Sequence, residues 1–75
     1  MNEKKIEKEL MDKLQESAKA CAQRFINVPK NILTSRAEEE SEVYASILGI
    51  EDGDYRDAVK EQFKEIFIRE VIDNI

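Results

Sequence analysis

The hydrophobic pattern of residues 54–75 predicts one long helix that carries two apolar stripes. At 100° per residue, one face collects four apolar side chains, which are Val59, Phe63, Ile66 and Phe67. The nearly opposite face collects Ile68, Val71, Ile72 and Ile75. Burying an aliphatic side chain stabilises a protein by about 1.5 to 3 kcal/mol, so a second exposed stripe favours a second contact.

A single apolar stripe predicts the first helix over about residues 4–27. Its members recur at spacings of three or four and are Ile6, Leu10, Leu14, Ala18, Cys21 and Phe25. At 1.5 Å per residue this helix would be about 36 Å long, which predicts an elongated molecule or fraying before about Lys5. Small residues fill most of positions 17–22, where another helix could approach closely.

The segment after the first helix contains Pro29 and the pair of Ser35 and Glu38. Pro29 is predicted to end the first helix, because the helical conformation is disfavoured for the residue before a proline. A single helical turn opened by Pro29 would then place Ile32 and Leu33 at one end of the core. Ser35 and Glu38 have the spacing of a capping box, which predicts a second helix over about residues 36–48.

Glycine and aspartate separate the last two helices. The apolar side of the second helix would comprise Val43, Tyr44, Ile47 and Leu48. Gly49, with Ile50 behind it, is predicted to form the left-handed cap that ends this helix. Asp54 is then predicted to be the N-cap of the third helix, which covers about residues 54–74.

Together these elements predict one all-α domain, residues 1–75, with a long, a short and a long helix. Short connections favour antiparallel neighbours, and the domain could associate as an elongated helical dimer. The predicted inner face comprises Ile6, Leu10, Leu14, Phe25, Tyr44, Ile47, Leu48, Val59, Phe63, Ile66 and Phe67.

Charge is concentrated in the middle of the chain. Charged residues make up 39% of the sequence and the net charge is −5. Residues 37–57 hold eight acids and one base, and the acids are Glu38, Glu39, Glu40, Glu42, Glu51, Asp52, Asp54 and Asp57. Such a stretch repels nucleic acid and attracts basic surfaces, so direct nucleic-acid binding is not expected. The same acids also suit the start of a helix and a soluble surface.

The residue types that usually carry chemistry are scarce. The chain has no histidine and one cysteine, and it contains no HExxH, CxxC or glycine-rich phosphate loop. We therefore expect no enzyme, no metal site and no cofactor, and we interpret Cys21 as a small buried apolar residue. Neither a signal peptide nor a membrane span is evident, so we expect a cytoplasmic protein without membrane contact.

The first functional hypothesis is a non-enzymatic adaptor or inhibitor that binds another protein and also forms a homodimer. Its predicted interface is the stripe of Ile68, Val71, Ile72 and Ile75, along which two third helices could pair. Alternatively, this stripe packs on the first helix of the same chain. The small size and heavy use of Lys and Glu are typical of bacterial or phage accessory proteins.

The second hypothesis is an acidic mimic of nucleic acid that blocks the basic groove of a DNA- or RNA-binding protein. Its support is the acidic stretch between residues 37 and 57. Salt separates the two hypotheses, because charge-driven binding weakens steeply with ionic strength and an aliphatic interface responds little.

Overall fold

The computed structural model describes residues 6–74. This part of the chain forms three α-helices, α1 (Lys8–Gln23), α2 (Leu33–Ile47) and α3 (Asp54–Asp73), without a strand. One turn of 3-10 helix, Lys30–Ile32, precedes α2. The predicted all-α domain of three helices is therefore confirmed, although α1 is hardly longer than α2. The predicted fraying before Lys5 lies outside the described residues.

The end of α1 comes earlier than predicted. After Gln23 the chain tightens into turns, in which the N–H of Arg24 donates to the Cys21 carbonyl and that of Phe25 to the Ala22 carbonyl, at 3.1 and 2.9 Å. Bonds of this shorter type commonly satisfy the last carbonyls of a helix. Pro29 lies six residues after Gln23, so it opens the 3-10 turn, as predicted, but it does not itself end α1.

The start of α2 differs from the predicted capping box. Ile32 occupies the N-cap position and no side chain caps the helix, so Ser35 lies inside the first turn. The 3-10 turn runs directly into α2 and its Lys30 carbonyl accepts the N–H of Leu33. Because this turn supplies a backbone acceptor at the junction, the helix starts without a serine cap. Leu33 is buried, as predicted, whereas Ile32 is largely exposed.

Glycines shape the connection between α2 and α3. Gly49 has φ 74°, its N–H donates to the Ser46 carbonyl, and the N–H of Ile50 donates to the Ala45 carbonyl. These two bonds define a Schellman motif and confirm the predicted left-handed cap. At the start of α3 the N-cap is Gly53, so the predicted capping role of Asp54 is wrong by one position.

The third helix organises the fold because α1 and α2 both pack mainly against α3. The helices α1 and α2 run antiparallel. Cys21 contacts Glu40, whereas Phe25, which lies later in the chain than Cys21, contacts Arg36, which lies earlier than Glu40. The molecule measures 39 × 20 × 20 Å, and α1 has 16 residues, so it is shorter than the predicted first helix. No helix in residues 6–74 combines the length and the apolar character needed to cross a membrane.

Buried residues follow rows with a spacing of four. The row of α2 is Leu33, Ala37, Ser41 and Ala45, and that of α3 is Val59, Phe63, Phe67 and Val71. Leu14, Ala18 and Ala22 form the corresponding row of α1, with Cys21 beside it. Each step of four residues turns such a row by about 40° around the helix axis. Rows of this kind form the ridges that pack into the grooves of a crossing helix.

The small row of α2 corrects the predicted core. Ile47 and Leu48 were assigned to the inner face, but Ile47 is 74% exposed and Leu48 39%. Alanine and serine take the buried positions of α2 instead, so the aromatic side chains of α3 fill the space between the helices. The ring of Phe63 stacks on Tyr44, with 4.9 Å between the ring centroids.

Candidate protein-binding surface

The second apolar stripe predicted for α3 divides between core and surface. Val71 is fully buried and Ile68 is half-buried against the core, whereas Ile72 is 51% exposed. Val71 therefore agrees with the alternative in which the stripe packs inside the same chain. Between Val59 and Val71 the buried row of α3 turns by about 120° around the helix axis, so the side of α3 that faces the core includes Val71. An interface role for Ile68 or Ile72 stays a prediction, and Ile75 lies outside the described residues.

A groove of about 280 Å³ lies between α1 and α2. Its apolar lining comprises Cys21, Val43, Tyr44, Ile47 and Phe63, and Ser17 contributes from α1. The groove forms because α1 and α2 both pack on α3 rather than closely on each other. Of the small residues predicted to permit helix approach, Ser17 and Cys21 border this groove, whereas Ala18 and Ala22 are fully buried in the core.

Two aliphatic side chains line the α2 side of this groove. Val43 is 51% exposed and Ile47 is the most exposed large hydrophobic residue described. They lie one helical turn apart, so they share one face of α2. This surface was not predicted from the sequence, because the hydrophobic pattern placed Ile47 in the core. The alanine and serine row of α2 is the sequence signal that could have reversed the assignment.

Polar groups also line the groove. The Cys21 thiol donates a hydrogen bond of 3.1 Å to the Glu40 carboxylate. Burial, this hydrogen bond and the negative charge of Glu40 raise the pKa of Cys21 to about 12, while the positive charge of Arg24 acts in the opposite direction. The thiol therefore stays protonated at neutral pH and is a poor nucleophile. Within residues 6–74, neither Glu40 nor Arg24 forms an ion pair.

The acids of α2 do not all point toward solvent. Glu38 accepts a 2.8 Å contact from Lys64, and Glu42 lies 2.8 Å from Arg56 and 3.0 Å from Lys60. Hydrogen bonds from these cations lower the pKa of both carboxyl groups. The same contacts raise the pKa of Lys60 and of Lys64. Two of the eight acids of the predicted surface, Glu38 and Glu42, thus form ion pairs between α2 and α3.

The other acids of the predicted surface lie in different places. Glu39 pairs with Arg36 at 3.0 Å, and Asp52 lies 3.7 Å from Arg56. Glu51 is exposed between the last two helices, and both Asp54 and Asp57 belong to the first turn of α3. A carboxylate there interacts favourably with the positive end of the helix dipole. The eight acids therefore do not form one continuous unpaired face.

The described residues contain no group of three or more His, Cys, Asp or Glu side chains that could hold a metal ion. Comparison of the chain with protein-family models, with curated proteins and with solved structures finds no match. The groove between α1 and α2, with Val43 and Ile47 beside it, is the surface from which we infer a function.

Proposed function

We propose that the protein is a non-enzymatic adaptor or inhibitor and that it binds another protein through the groove between α1 and α2. The observation that carries this proposal is the exposure of Val43 and Ile47, one turn apart, beside an open groove with an aromatic floor. Burial of each such side chain contributes about 1.5 to 3 kcal/mol, which is enough to support a specific contact.

The shape of the groove favours a helix as the bound element. A helix lays apolar side chains into a groove at spacings of three and four, and the pair of Val43 and Ile47 offers matching contacts. On the opposite wall, Ser17 and Cys21 are small, so they leave room for a close approach. Tyr44 and Phe63 provide a flat apolar floor on which such side chains can pack.

The acidic-mimic hypothesis has less support. Glu38 and Glu42 already pair with Lys60, Lys64 and Arg56 of α3. A basic target would have to compete with these internal cations for the same carboxylates. Binding of that kind would be strongly weakened by salt, whereas binding through the groove should change little.

The state of Cys21 and the composition of the chain support a cytoplasmic accessory protein. Cys21 is a free and buried thiol, which suits a reducing compartment. Short chains rich in Lys and Glu are typical of bacterial or phage accessory proteins, and we propose that class here.

A capture experiment with two matched variants tests the proposed surface. Ile47 and Ile72 each lie in the last turn of a helix and each is more than half exposed. A lysine is compatible with both positions, because cations are favoured near helix C-termini. Beads carrying wild-type protein or Ile72→Lys should retain a protein from a lysate of the source organism, and beads carrying Ile47→Lys should lose it.

Two results would contradict the proposal. The groove is not the contact surface if every captured protein binds equally to wild-type and Ile47→Lys beads. Capture that disappears between low and physiological salt would instead favour charge mimicry, and replacement of Glu39, Glu40 and Glu42 by glutamine should then abolish it.

A further inference from the structure

We propose that α1 opens from α3 as a unit while α2 and α3 stay packed on each other. In the closed state Ser17 and Cys21 of α1 form one wall of the groove, so the opening removes that wall. A protein that fills the groove would bind the closed state alone and hold α1 in place. That last step rests on the proposed function, whereas the opening itself does not.

Apolar contacts hold both α1 and α2 on α3. Each of the two helices contributes one large buried side chain, which is Leu14 in α1 and Leu33 in α2. The other buried residues are small, and they are Ala18, Cys21 and Ala22 in α1 and Ala37, Ser41 and Ala45 in α2. Partly buried side chains add to both contacts, namely Leu10, Met11 and Phe25 in or beside α1 and Tyr44 in α2. Neither helix is therefore without an apolar contact, and the polar contacts distinguish them.

Ion pairs connect α2 to α3. Two acids of α2 lie 2.8 to 3.3 Å from three cations of α3. The acids are Glu38 and Glu42, and the cations are Arg56, Lys60 and Lys64. Because the cations keep only 13 to 22% of their side-chain surface exposed, water and salt screen these pairs less than fully exposed ones. No residue of α1 forms an ion pair with another residue of the range 6–74.

Two side-chain hydrogen bonds join α1 to the other helices in the described part of the chain. The Cys21 thiol, a weak donor, contacts Glu40 at 3.1 Å, and the Gln23 amide donates to Glu70 at 3.3 Å. Turns over residues 24–28 then lead from α1 to the rest of the chain. The opening of α1 therefore leaves in place the ion pairs between α2 and α3 and their short connection, residues 48–53.

Amide hydrogen exchange, followed by NMR on the purified protein, tests the opening. Amides of α1 should exchange about tenfold or more faster than the slowest amides of α2 and α3, since they require only the local opening. Their rates should also rise less steeply with urea, because the opening of one helix exposes less surface than unfolding does. Amides of α1 that exchange as slowly as those of α3, with the same urea dependence, would overturn the proposal.

Two variants separate the opening of α1 from unfolding of the whole domain. The double variant Glu38→Gln with Glu42→Gln weakens contacts that persist when α1 opens. It should speed exchange in α2 and α3 about fivefold and leave exchange in α1 unchanged. Ile66→Ala is the matched control, because Ile66 borders Gln15 and Lys19 of α1. This contact is lost in both processes, so exchange should become about tenfold faster in all three helices.

One outcome with these variants would overturn the proposal. If the double variant speeds exchange in α1 as much as in α2 and α3, the three helices open together. Neither outcome affects the proposed function, which depends on capture of a different protein and on its loss from Ile47→Lys beads.

Discussion

The thiol of Cys21 and the carboxylate of Glu40 form a hydrogen bond of 3.1 Å that joins α1 to α2. The bond lies in the lining of the groove, where the two helices otherwise share few contacts. Together with burial of the thiol, it raises the pKa of Cys21 to about 12. The carboxylate stabilises the protonated thiol in two ways. It accepts a hydrogen bond from the thiol, and its negative charge disfavours the thiolate.

Replacement of Glu40 by glutamine should make Cys21 more reactive. The change removes the negative charge that helps to hold the thiol pKa near 12, so the pKa should fall and the thiolate population should rise. Each unit by which the pKa falls raises the thiolate population at pH 8 about tenfold, and alkylation by iodoacetamide should become about three- to fourfold faster, because a less basic thiolate is also a weaker nucleophile. Glu39→Gln is the matched control, because Glu39 pairs with Arg36 and should leave the rate unchanged. Equal rates in the two variants would refute the coupling.

Adjacent residues of α3 should respond very differently to truncation. Val71 is fully buried, so Val71→Ala should lower the free energy of unfolding by about 2 kcal/mol through lost burial and a new cavity. Ile72 is about half exposed, and Ile72→Ala should change it by about 0.5 kcal/mol or less. Urea denaturation of dilute protein measures both effects. A large loss for Ile72→Ala would mean that the α3 stripe forms an interface after all.

Acid should weaken the contact between α2 and α3. Hydrogen bonds from Arg56 and then Lys60 lower the pKa of Glu42 from its ordinary value of 4.5. A lowered native pKa stabilises the fold above the ordinary value, and this stabilisation is lost as pH falls through the native value. Below pH 4.5, wild-type stability should thus fall more steeply than that of Glu42→Gln, and the difference between them should shrink. Glu16→Gln, outside these pairs, should follow the wild-type curve, and parallel curves for all three proteins would contradict the role of Glu42.

Gly49 should tolerate asparagine better than alanine. Its φ of 74° lies in the left-handed region, and a Cβ at this position would meet no atom within 4 Å. Backbone conformation alone should therefore make Gly49→Ala cost about 1 kcal/mol. Asparagine adopts this region more readily, so Gly49→Asn should cost about half as much. Thermal unfolding of the two variants provides the measurement, and equal losses would point to an unrecognised contact of the side chain.

Local signals predicted the ends of some helices well. Gly49 and Ile50 gave the correct end of α2, because a left-handed cap depends on a few neighbouring residues. Ser35 and Glu38 gave the wrong start, although their spacing suits a capping box. The 3-10 turn after Pro29 already supplies the backbone acceptors at that junction, and a sequence motif does not reveal this competition.

The candidate surface was harder to predict because it depends on how the helices cross. A helical wheel treats each face as a straight stripe along the helix, whereas the buried rows of α2 and α3 turn around the helix axis along their length. The wheel therefore placed Ile47 inside, which was wrong, and left Val71 undecided between core and interface, although Val71 is fully buried. Ala37 and Ala45 were overlooked because small side chains carry a weak hydrophobic signal. Their burial, however, decides which side of α2 turns toward solvent.

The spacing of four in both partners means that α2 and α3 share an interface that nearly repeats itself. If α2 slid along α3 by one turn, about 6 Å, Ser41 and Ala45 would enter the sites of Ala37 and Ser41, which hold side chains of similar size. Glu42 would likewise replace Glu38 opposite Lys60 and Lys64. These contacts are consistent with more than one register.

Arg56 breaks this degeneracy. Its guanidinium donates to the Ile50 carbonyl at 2.6 Å, to Glu42 at 2.8 Å and to the Ser46 hydroxyl at 3.1 Å. These acceptors surround the single end of α2, and no other turn of that helix offers the same set. One arginine at the start of α3 thereby fixes the register that the repeating rows leave open.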